Sequence, residues 1–112
     1  MNTFPPKDFQ EKITITFDFT EDIVMESISN ASISIDTFTG FDNSPGLVLV
    51  GPAVISDAII SQEIQGGTPY CIYRVRCTVT TNNGRILVVS SYLPISGYDS
   101  LYGENFETNS PA

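Results

Sequence analysis

Hydrophobic and polar residues alternate most regularly between Thr68 and Ile95, TPYCIYRVRCTVTTNNGRILVVSSYLPI. Cys71, Tyr73, Val75, Cys77 and Val79 take the odd positions, and Arg74, Arg76, Thr78 and Thr80 the even ones. A repeat of two marks a strand with one buried face. Asn82-Asn83-Gly84 then supplies residues that tolerate positive φ, which a short hairpin connection requires. On the return strand Leu87, Val89, Leu93 and Ile95 continue the inward set, with Ser91 its one polar interruption. The pattern predicts a long β-hairpin around which the rest of the chain is arranged.

The same alternation recurs upstream. Pro5-Pro6 bars both helix and central strand, so residues 1–11 are expected to run as an extended arm over a surface. Ile13, Ile15, Phe17 and Phe19 form one face of a first core strand, and Ala31, Ile33 and Ile35 one face of a second. Between residues 37 and 52 the pattern gives two turns and a short strand, Leu47 to Val50, closed by Gly51-Pro52. Asp42-Asn43-Ser44 lacks the further spaced carboxylates of a calcium loop and reads as a solvated turn. Residues 53–64 hold one or two more strands with Ile60 and Ile64 inward and Gln62 at a less buried place. Strands at intervals of roughly ten residues, separated by Gly, Pro, Asn and Asp, predict an all-β, antiparallel immunoglobulin-like β-sandwich of about seven strands over residues 12–95. A small barrel is the structural alternative, and no helix is expected. Tyr73, a few residues after Gly66-Gly67-Thr68-Pro69, fits a tyrosine corner better by parity than Tyr70, with its hydroxyl bonding back to the corner backbone.

Composition narrows the functional classes. A chain of 112 residues is one domain large enough for its own core. Five basic residues stand against thirteen acidic ones, a net charge of −8, so no nucleic-acid partner is expected. Arg74, Arg76 and Arg85 nevertheless fall on the hairpin; they are expected either to pair with Asp36 or Glu63 on adjacent strands or to meet an acidic neighbour. Cys71 and Cys77 share one strand face at a separation of about 20 Å, too far to bridge. Free buried thiols and an N-terminus without a secretion signal predict a protein made in cytoplasm, and no stretch is apolar enough to span a membrane. With no histidine, no desolvated lysine context, no set of zinc ligands and no phosphate loop leading into a helix, neither catalysis nor any metal or cofactor is expected.

Binding is the remaining class. The even parity of the hairpin carries Tyr70, Ile72, Ile86, Val88 and Tyr92, an apolar set that a two-sheet sandwich would turn toward water. Exposed patches of this kind mark protein interfaces, although an arm or tail of the same chain can also cover them. Residues 96–112 read as an aromatic tail, in which Tyr98, Tyr102 and Phe106 recur every fourth residue as anchors for a surface in the same chain or another. The candidate interface is therefore Tyr70, Ile72, Ile86, Val88 and Tyr92 with Arg74, Arg76, Tyr98, Tyr102 and Phe106.

Several short motifs also resemble one family. Lys7-Asp8 with Glu11, then Phe17-Asp18-Phe19, and later Gly66-Gly67, Tyr73, Thr80-Thr81, Gly84-Arg85, Ser90-Ser91 and Leu93 to Ile95 resemble the small immunoglobulin-like virion proteins of tailed bacteriophages. Phe9, where a proline is common, and the longer aromatic tail depart from that pattern. The resemblance implies a structural protein of the virion that binds the major capsid protein or other virion subunits and forms a homo-oligomer on the particle. Capsid decoration, or cementing of the head surface, is the expected role. A head-tail connector, a fiber or tail-associated component, and an immunoglobulin-like adhesin or carbohydrate-binding module are the alternatives.

Overall fold

The structure is a computed structural model that describes residues 3–42 and 46–96. Seven strands lie in two sheets, with no helix among the described residues. They are β1 (Lys7–Asp8), β2 (Lys12–Asp18), β3 (Ile28–Thr39), β4 (Leu47–Ser56), β5 (Ile59–Gly66), β6 (Ile72–Thr81) and β7 (Ile86–Ser96). One sheet has the order β1-β7-β6-β3 and the other β2-β5-β4, so the hairpin β6–β7 is the centre of the larger sheet.

The inward parities meet between the sheets. Tyr73, Val75, Cys77, Val79, Leu93 and Ile95 of the hairpin pack against Ile15, Phe17, Phe19, Leu47, Ile60 and Ile64, all buried. Leu87, Val89, Ala31, Ile33 and Ile35 complete this core as half-buried side chains. The β6–β7 turn falls at Asn82-Asn83-Gly84 with Gly84 at φ +85°, the left-handed geometry that the sequence called for. Both thiols are free and buried, and burial pushes the Cys77 thiol up to about 11.

Residues 3–8 lie along the larger sheet. Thr3 forms a parallel bridge with Tyr92, the Phe4 amide donates to the Tyr92 carbonyl at 2.8 Å, and β1 pairs in parallel with the end of β7. Lys7 is almost wholly buried; its Nζ donates to the Gly66 carbonyl at 2.6 Å and the Asp8 carbonyl at 2.8 Å. Desolvation holds its pKa below the ordinary lysine value, against the opposing pull of Glu11 and Asp8. Asp8 and Glu11 close the following turn, with the Asp8 amide on Glu11 Oε1 and the Glu11 amide on the Asp8 carbonyl.

Three local expectations are corrected. Leu47 to Val50 is not a strand of its own: β4 runs on through Gly51-Pro52 to Ser56, and Gly51, Pro52 and Ala53 form a bulge between Val50 and Val54. Proline is tolerated there because β4 is an edge strand. Gln62 is buried rather than half-exposed, since the bulge leaves carbonyls to be satisfied; its Nε2 donates toward Val50 O, Gly51 O and Glu63 O at 2.9–3.3 Å. Asp42 is not a solvated turn residue. Its carboxylate accepts the Tyr73 hydroxyl at 2.6 Å, Thr68 Oγ1 at 3.0 Å and the Gly46 amide at 3.1 Å.

Tyr73 also accepts a hydrogen bond from the Thr68 amide at 2.9 Å, the bond back to the corner that its parity predicted. Burial first, and the Asp42 carboxylate second, raise its pKa, so the phenol stays a donor. Replacing Tyr73 by Phe keeps the ring and removes both bonds. We expect Tyr73→Phe to lower the unfolding free energy by about 1–3 kcal/mol, measured by urea titration, because the Thr68 amide and Asp42 lose their partner.

Candidate protein-binding face

The outer face of the larger sheet is built in rows by strand register. Asp36, Arg74 and Tyr92 stand side by side, followed by Ser34, Arg76 and Ser90, then Ser32, Thr78 and Val88, then Asn30, Thr80 and Ile86. Ile72 and Pro94 form the row at the opposite end. Because the strand repeat is two, every one of these residues has the parity opposite to the core.

The expected interface residues fall into two clusters. Ile72 and Tyr92, both half-buried, lie at one end, where Phe38 packs edge-on against the Tyr92 ring at 4.6 Å. Ile86 and Val88, 67% and 43% exposed, lie toward the β6–β7 turn. Val88 and Tyr92 are four residues apart on one strand, about 13 Å, and Arg76 and Ser90 fill the gap. Tyr70 belongs to neither cluster: it sits in the corner before β6 at φ +70° and is 64% exposed, its amide bonded to the Ile95 carbonyl at 3.0 Å. Tyr98, Tyr102 and Phe106 lie outside the described residues.

The three arginines differ. Arg74 meets Asp36 across the sheet at 2.6 Å with a second bond from Nε, which is the cross-strand pair expected from the sequence. Arg85 pairs with Glu26 at 2.8 Å, not with Asp36 or Glu63, and also donates to the Asp22 carbonyl. Glu63 belongs to β5 in the other sheet, so it is out of reach of this face. Arg76 projects exposed from the middle of the face between Ser34 and Ser90. Phe38 was not singled out in the sequence, yet its parity matches Ser34 and Asp36; a register shift between Thr37 and Thr39 then sets it over Tyr92.

Among the described residues no group of three or more His, Cys, Asp and Glu side chains is placed to hold a metal ion. The surface offers broad sheet faces and edges, the means by which one protein is fitted against another. In a comparison with known families, residues 7–94 of the 112 match the family model described as podophage GP4 fiber-tail adaptor protein gp77. The chain belongs to this family and is a phage virion structural protein. The match favours the fiber or tail-associated alternative over capsid decoration. No curated protein matches the chain.

The Arg85–Glu26 pair clamps the β6–β7 turn to the segment before β3, reinforced by Asn83 Nδ2 on Glu26 Oε2 at 2.9 Å. Bonds from Arg85 and then Asn83 hold the Glu26 carboxyl below the usual range. A depressed carboxyl stabilises the fold fully above its unfolded pKa of about 4.3 and loses that contribution as pH falls through the folded value. In urea titrations, the stability gap between the parent protein and Glu26→Gln is therefore expected to be constant near neutrality and to shrink below about pH 4.3.

Proposed function

We propose that this protein is a noncatalytic adaptor of the phage tail, joining a fiber component to the tail through the outer face of the β6–β7 hairpin. The family match over residues 7–94 carries the tail-associated reading. The choice of face rests on its chemistry. Two apolar clusters, Ile72–Tyr92–Phe38 and Ile86–Val88, flank an exposed arginine, and interfaces favour this combination of aromatic, aliphatic and arginine side chains. Arg76 supplies a charge for a carboxylate on the partner, since Arg74 is already engaged by Asp36. Residues 96–112, with Tyr98, Tyr102 and Phe106, serve as a second anchoring segment in this reading.

The test uses phage particles. Gold-labelled or imaged virions are expected to carry the protein where fibers meet the tail, and loss of its gene is expected to leave filled heads without fibers. Label over the capsid surface would overturn the tail reading and restore decoration. Within the protein, Ile72→Asp with Val88→Asp is expected to reduce incorporation into particles at least about tenfold, equivalent to about 1.4 kcal/mol, while the purified double variant keeps its β-sheet circular dichroism. Incorporation at the parental level by a folded double variant would move the interface elsewhere.

A further inference from the structure

The smaller sheet has one edge that carries no charge. β4 is that edge, and Leu47–Ser56 contains no charged residue. Its apolar side chains are exposed on both sides of the strand: Val48 and Val54 are 41% and 58% exposed, Leu49 and Ile55 41% and 40%. Leu49 and Ile55 pair in register with the buried Ile64 and Ile60, so they share the parity that faces the core. They remain exposed because the sandwich is open along this flank, where the edge strand of the other sheet, β3, presents half-buried Ile33 and Ile35. The opposite edge, β2, is managed differently. It carries Lys12, Thr14, Thr16 and Asp18 outward, and Phe4 packs edge-on against its Phe17 at 5.6 Å.

An edge strand offers unpaired backbone N–H and C=O groups, and natural sheets guard such edges with charge, proline or a bulge. On β4 the guards are Pro52 and the bulge around it, both in the middle of the strand, and they separate two apolar runs that carry no charge. We propose that a second copy of this chain occupies this flank, with the two β4 strands antiparallel across a two-fold axis, so that each copy closes the open side of the other. The choice of a second copy rests on charge. At −8, two copies repel each other wherever acidic surfaces meet, whereas residues 47–56 bring no like charges into opposition and give a basic partner nothing to pair with. A two-fold contact needs one surface that complements itself, and an uncharged strand with apolar side chains on both sides meets that condition. This contact uses the sheet that the proposed tail interface leaves free, so either can fail without the other.

Sedimentation equilibrium of the full-length protein tests it, from about 1 μM to about 300 μM. The expected result is a monomer–dimer equilibrium in that range, with Val54→Lys weakening the dimer at least about tenfold. Thr16→Lys, which adds the same charge to the exposed side of β2, is expected to leave the equilibrium unchanged. Val48→Lys repeats the measurement should Val54→Lys lose its β-sheet circular dichroism. A monomer at every concentration overturns the proposal and leaves the flank to residues 97–112 or to a different virion protein. Equal weakening by the β4 and β2 variants, or none by the β4 variants, also overturns it.

Discussion

Tyr73 is taken out of water by the core, and its hydroxyl must therefore find partners inside the protein. It finds two that are far apart in sequence, Asp42 and Thr68, and through them the β3–β4 crossover and the β5–β6 corner are fixed to the start of the central hairpin. The same end of the molecule collects further bonds. The Gly67 amide donates to the Gly46 carbonyl at 2.7 Å, Lys7 Nζ donates to the Gly66 carbonyl, and the Tyr70 amide donates to the Ile95 carbonyl. Gly66 sits at φ +84°, and a Cβ there would collide with the Gly46 carbonyl, so this crossing admits only glycine. Both sheets are joined at one knot of polar groups, and the apolar strands extend from it.

The alternation of side chains made the core legible because each strand has a single buried parity, and Phe17, Val75 and Leu93 needed no partner to be placed. Polar members of that set were harder. Gln62 shares its parity with Ile60 and Ile64, yet its burial depends on a bulge in the neighbouring strand that no local rule reveals. Lys7 and Asp42 look like surface residues until the partners that desolvate them are known. Pro52 suggests a chain break, since whether proline ends a strand depends on whether that strand is an edge, a property of sheet order. Arg85 illustrates the same point for charge, because topology brings Glu26, 59 residues away, to its side.

Several of the motifs that suggested a phage family occupy these joints. Lys7-Asp8, Gly66-Gly67 and Tyr73 make the polar knot, and Thr81 is buried with its hydroxyl accepting the Asn83 and Arg85 amides at the hairpin turn. None of them lies in the apolar clusters of the outer face. Much of the sequence resemblance thus reports the scaffold, and it reached a phage virion structural protein while favouring the head over the tail. In the proposed reading, position on the particle depends on faces such as Ile72, Arg76 and Val88, where physical constraint is weak and residue identity is free to follow the partner.

The parallel pairing of β1 with β7 also sets an order in time. Lys7 can be buried only when Gly66 has formed its corner, and β1 has no neighbour until Ile95 and Ser96 exist. At about 5–20 residues per second, the amino end of a growing chain waits on the order of ten seconds for the strand that will hold it. A nascent chain halted before its last strand carries an uncapped sheet and a charged lysine in water. The first strand in sequence is therefore the last of the described strands to find its neighbour.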